Sequence, residues 1–178
     1  MEKYFNLLML LLLMAAKGTA QPSGFVVMRP KIHDLAAIEK ASYGSVHWSK
    51  SRSDYAATKG EFPNSEKYII AQPITSHRKT KPVEVNVYYT YSVPDSIIRV
   101  VEYLWYIEDP KDSAIAENLI QFNSKELDRI FNNQGKTDQN GKGLTGKTTL
   151  WQNDNAKVIQ SVDALSPGYH VLVRIVWE

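Results

Sequence analysis

The chain has 178 residues, a formal net charge of +2 and no cysteine. That length suits one domain with a substantial core, and a near-neutral charge gives no field for holding a polyanion, so nucleic acid is not expected as a partner. The missing thiols exclude disulfides, thiolate nucleophiles, cysteine zinc sites and lipid attachment at a lipobox cysteine.

Residues 1–20 read as a cleaved secretory signal. Lys3 supplies a positive start, residues 7–16 form an unbroken apolar run, and Gly18-Thr19-Ala20 offers the small residues a signal peptidase reads. The run is shorter than the roughly twenty apolar residues of a membrane span, and Lys17 closes it. Cleavage is expected after Ala20, leaving a single α+β domain over 21–178 with no membrane span, periplasmic or secreted. Small extracellular eukaryotic domains lean on disulfides, so a cysteine-free exported domain points to a bacterium.

Phe25-Val26-Val27-Met28 reads as a short strand stopped by Pro30. Asp34 stands as N-cap to a short helix from Leu35 to about Ser42. Val46-His47-Trp48 shows no decisive period. Residues 51–58 read as a second short helix stopped by Gly60, and Tyr68-Ile69-Ile70-Ala71 as a strand ended by Pro73. Residues 76–82, with His77, Arg78, Lys79 and Lys81, read as a solvated basic loop.

The clearest signal is a β-hairpin over 83–107. Val83, Val85, Val87, Tyr89 and Tyr91 alternate with Glu84, Asn86, Tyr88 and Thr90, which is the period of a strand with one apolar face. Pro94-Asp95 supplies turn chemistry. The second arm is apolar on both faces, interrupted by Arg99 on one and Glu102 on the other. Such a strand belongs in the middle of a sheet with cover on its Trp105 side.

Asp109-Pro110 then breaks the chain ahead of a long helix capped by Asp112 or Ser113. Its apolar positions run from Ala114 to Phe131 and fill about half of the helical circumference. Asn123-Ser124-Lys125-Glu126 has the spacing of a capping box, so a kink is expected at Asn123. Gly135 ends the helix, and residues 135–146 read as an exposed, mobile loop. Three strands follow, over 147–152, 156–162 and 169–177, the last well inside the sheet. The expected fold is α+β: an antiparallel sheet of about five to six strands against one long, kinked helix, with short N-terminal helices.

Catalytic motifs are scarce. Residues 141–148 fit the phosphate-loop pattern G-x-x-x-x-G-K-T, but a strand-like segment follows where that loop needs a helix N-terminus. Asp138-Gln139-Asn140-Gly141 resembles part of a calcium loop, yet lysines fall at both of its end ligand positions. The four histidines lack metal-ligand spacing, and no G-x-S-x-G elbow is present. No cofactor and no metal are expected. The expected function is therefore a non-catalytic binding protein that offers an aromatic-bearing sheet to a protein, peptide or glycan, with Tyr88, Tyr106, His47 and Trp48 as the candidate contacts. The alternative is a secreted hydrolase or small-ligand pocket in which His47, Glu102 and His170 converge. Pairing of Glu102 with Arg99 or Arg174 is the plainer fate for that carboxylate.

Overall fold

A computed structural model describes residues 24–26, 28–42, 44–48, 71, 73–80, 83–141, 143–165 and 167–177, with the backbone alone at His47, Trp48 and Leu165. The expected signal (1–20), the helix over 51–58 and the strand residues 68–70 lie outside these. The described part is an α+β fold with one antiparallel sheet. A turn of 3-10 helix leads into α1 (Leu35–Ala41), followed by β1 (Gly44–Trp48), β2 (Ile74–Arg78), β3 (Val85–Ser92) and β4 (Ile97–Ile107). A second 3-10 turn at Pro110–Asp112 opens α2 (Ser113–Phe131), followed by β5 (Lys136–Gln139), β6 (Lys147–Gln152), β7 (Ala156–Leu165) and β8 (Gly168–Trp177). The sheet order is β1-β2-β3-β4-β8-β7-β6-β5.

The hairpin forms as its alternation requires. β3 and β4 pair from Val85↔Trp105 to Ser92↔Ile97, with a bulge at the turn end. Around that turn, Asp95 accepts hydrogen bonds from Ser92 Oγ, from the Arg99 guanidinium and from Ile97 N. β4 and β8, the two strands apolar on both faces, pair with each other at the centre of the sheet. Both helices lie on one face. There Val87, Tyr89, Val101, Trp105, Val173 and Ile175 meet Leu35 of α1 and Leu119, Ile120 and Leu127 of α2. Each such side chain, fully buried, is worth about 1.5–3 kcal/mol. Trp151 joins this layer and donates from Nε1 to Asp128 Oδ1 of α2 at 2.7 Å.

Several expectations are corrected. The sheet has eight strands rather than five or six, and two helices, short α1 and long α2, cover its one face among the described residues. Phe25 and Val26 form no strand; Phe25 inserts edge-on against Tyr103, ring centroids 4.9 Å apart. The supposed basic loop supplies Ser76, His77 and Arg78 to β2, because its alternate side chains Ile74, Ser76 and Arg78 point into the helical layer. The polar stretch after α2 starts with the edge strand β5, fully exposed and held by its ladder to β6. α2 runs unbroken past Asn123, whose side chain is buried against the sheet. A cap would take the backbone out of the helix and lift the flanking residues Ile120 and Leu127 from their shared core. The helix instead ends at Asn132, in the left-handed conformation that asparagine tolerates. Asp34 does stand at the N-cap of α1, but its carboxylate accepts from Lys31 N, three residues back, at 2.9 Å.

Candidate functional site

Side chains alternate between faces along a strand, so the ladders fix what the face turned away from the helices carries. One row of backbone positions runs in register across all eight strands, from His47 on β1 through Thr75, Tyr88, Glu102, Arg174, Ile159 and Leu150 to Lys136, and from Thr75 onward its side chains belong to that face. Glu102 and Arg174 occupy its centre. Arg174 donates from Nε at 2.8 Å to Glu102 Oε1, and its second nitrogen lies 2.7 Å from the same oxygen. Glu102 has no solvent exposure and Arg174 keeps 21%. Of the two arginines considered for Glu102, Arg174 is the one observed; Arg99 serves the Asp95 turn.

Beside that pair Tyr88, Leu104 and Leu172 form a small apolar cluster separate from the main core. One row further along, Tyr106 stands opposite His170 and meets it edge to face at 4.3 Å. Tyr106 is 36% exposed, unlike its neighbours on β4. Burial holds the His170 imidazole below its ordinary pKa, opposed in part by the Asp163 carboxylate on β7. Most of this face is nevertheless covered: Val100, Glu102, Leu104 and His170 are buried, and Tyr106 is the exposed side chain among them.

The sequence-derived candidates therefore share one sheet but do not all meet. Tyr88 lies opposite Glu102 while Tyr106 is four residues along β4, a backbone separation of about 13 Å at roughly 3.3 Å per residue. The same step separates Arg174 from His170 on β8, so Glu102 and His170 do not converge. His47 and Trp48 fall on the edge strand β1, and their side chains lie outside the described residues. The His47 backbone is three strand spacings, or about 14 Å, from that of Glu102. Among the described residues no group of three or more histidine, aspartate or glutamate side chains is placed to hold a metal ion.

A second polar centre, under α1, went unread in the sequence. Glu39 accepts from Arg78 Nε at 2.9 Å and from a terminal guanidinium nitrogen at 2.7 Å, and also from Ser76 Oγ at 2.6 Å and the Tyr89 hydroxyl. Arg78 further donates to Gly24 O at 2.5 Å, its guanidinium lies 5.3 Å from the centre of the Tyr103 ring, and the Tyr103 hydroxyl accepts from Val26 N. Glu39 and Arg78 are 1% and 2% exposed. Burial alone would raise the Glu39 carboxyl, but Arg78 and the two hydroxyls hold it below its ordinary value. Burial likewise pushes the Tyr103 phenol up to about 12, keeping it protonated. With Glu39, Ser76, Arg78, Tyr89 and Tyr103 all buried, this network fastens α1 and residues 24–26 to the sheet and offers no side chain to a substrate. The one signal for it in the sequence is the Ile74-Thr75-Ser76-His77-Arg78 alternation, which sets Arg78 on the same face as two core residues.

Comparison with protein-family models, with curated proteins and with solved structures returns no match.

Proposed function

We propose that this chain is an exported bacterial binding protein without catalytic activity, and that its protein, peptide or glycan partner meets the sheet face turned away from the helices. The observation that carries the reading is Tyr106. It is a large aromatic side chain exposed on a central strand, braced by the buried His170 and seated beside the buried Leu104, Leu172 and Tyr88 cluster. Tyrosine is favoured at recognition surfaces because one end is apolar and the other can hydrogen-bond. Among the described residues no contact favours the hydrolase: the Glu102 carboxylate is engaged by Arg174 and stands far from His170. Secretion rests on the signal-like residues 1–20.

The test is retention of envelope proteins and of a glycan array by immobilised protein starting at Gln21. A ligand retained by the wild type and lost on Tyr106→Ala, with an unchanged circular dichroism spectrum, supports the reading. Equal retention by Tyr106→Ala and Tyr88→Ala refutes this face as the binding surface.

A further inference from the structure

Phe25 is buried, yet no ladder holds it: residues 24–26 belong to no strand or helix. The segment is seated by its ring and its main chain. The Phe25 ring meets Tyr103 edge-on at 4.9 Å and Trp105 at 6.4 Å. Gly24 O accepts from the Arg78 guanidinium at 2.5 Å, and Val26 N donates to the Tyr103 hydroxyl at 2.7 Å. One side chain thus reads the carbonyl before an aromatic residue, and another reads the amide after it. The position of Gly24 is not selected for its lack of a side chain, because a Cβ added there meets nothing within 4 Å.

The chain is fastened a second time at residues 30–32, by a different part of the sheet. Ile98 N donates to Pro30 O at 3.0 Å, Ile32 N donates to Ser96 O at 2.9 Å, and Lys31 bridges to Ile97. Met28, between the two attachments, is 80% exposed. Residues 24–26 can therefore leave without undoing the anchor behind them. Their ring and hydrogen bonds are opposed by the entropy of ordering three residues, a cost of the same order. Local opening of such a segment is less costly than unfolding the sheet beneath it. It uncovers the Arg78 guanidinium and the Tyr103 ring and hydroxyl, whose enclosure residues 24–26 complete.

We propose that Arg78, Tyr103 and Trp105 form a peptide-recognition site with residues 24–26 as its ligand in cis. A short peptide with an aromatic residue between a free carbonyl and a free amide binds there in trans once that segment is withdrawn. The inference does not rest on the binding face proposed above, since Tyr103 and Trp105 belong to the core on the helical side of the sheet.

The test uses protein starting at Gln21 that carries Phe25→Ala and Val26→Pro, which take the ring and the amide donor from the segment. The probe is a fluorescein-labelled peptide of residues 21–28, followed by anisotropy. Saturable binding below about 1 mM is expected, at least tenfold tighter than to wild type, whose own segment competes. The peptide carrying Gly24→Ala is expected to bind equally well. The peptide N-methylated at Val26 is expected to bind about three- to tenfold more weakly, for the loss of one hydrogen bond. Should the double variant fail to fold by circular dichroism, wild type with a protease site inserted after Met28 serves instead: the labelled peptide is expected to enter the cut chain and not the uncut one. No saturable binding to the folded double variant or to the cut chain, equal binding to wild type, or indifference to the N-methyl group overturns the proposal.

Discussion

Replacing Arg78 by methionine removes the guanidinium while keeping much of the apolar stem. Four donated hydrogen bonds go with it: two to Glu39, one to Gly24 O and one to the Tyr89 hydroxyl. The larger loss is electrostatic, because the Glu39 carboxylate is left 1% exposed with only hydroxyl donors. Breaking a buried pair from one side costs about 3–5 kcal/mol, a large share of the roughly 5–15 kcal/mol that holds a domain of this kind. Urea unfolding followed by tryptophan fluorescence near pH 7.5 should show a midpoint lowered by about 2 M, taking a slope near 2 kcal/mol per molar. The pH dependence has a definite sign. In the wild type the folded Glu39 carboxyl lies below its ordinary 4.5, so its contribution is present above that value and fades as pH falls through the lowered one. Without Arg78, burial should raise the carboxyl instead, so acidification relieves the variant and narrows its gap from wild type. The double variant E39M/R78M should be more stable than R78M, because no buried charge is left behind. A cost below about 1 kcal/mol for R78M, the range of an exposed ion pair, would refute the reasoning.

Histidine titration by NMR should separate two rings that the sequence makes look alike. His77, bonded at its two nitrogens to Asn86 at 2.9 Å and Glu84 at 2.7 Å, should titrate above the ordinary 6.5, and Glu84→Gln should lower it; a value at or below 6.5 contradicts the geometry. Its stabilising effect is full below the unfolded value and is lost as pH rises through the raised one. His170 should titrate below 6.5 and move further down in Asp163→Asn; an upward move would show that Asp163 does not act on it. Gly168→Ala should destabilise by several kcal/mol, on the order of a severe core defect, in the same urea assay. The residue has φ +115°, and a Cβ there would sit 2.0 Å from Ile107 O.

What was legible in the sequence was whatever one segment states alone. The 83–107 hairpin and the strands starting at Lys147, Ala156 and Tyr169 each carry period two and turn residues within their own span, so local pattern sufficed. β2 was hidden because an arginine in a basic run looks solvated. Nothing near Arg78 announces that Glu39, 39 residues earlier, will be buried against it. β5 was hidden for the opposite reason: an edge strand with both faces wet has no apolar alternation to show. The false kink at Asn123 came from a local rule overridden by packing, since Ile120 and Leu127 share one core on either side of it. Of the candidate site, Tyr106 and His170 were legible as aromatic or polar positions on strands. Their contact, and the failure of His170 to reach Glu102, depend on the β4–β8 register, which no single strand encodes.

The central ladder also sets a timetable. Glu102 and Arg174 are 72 residues apart, so at roughly 5–20 residues per second of synthesis β4 precedes its neighbour by about 4–14 s. For that interval an eleven-residue strand, apolar on both sides, offers an unsatisfied edge to whatever lies nearby. Closing so long a loop is also slow once the neighbour arrives. The chain is thus most open to pairing with other copies before β8 exists, and crowding during synthesis should reduce its yield.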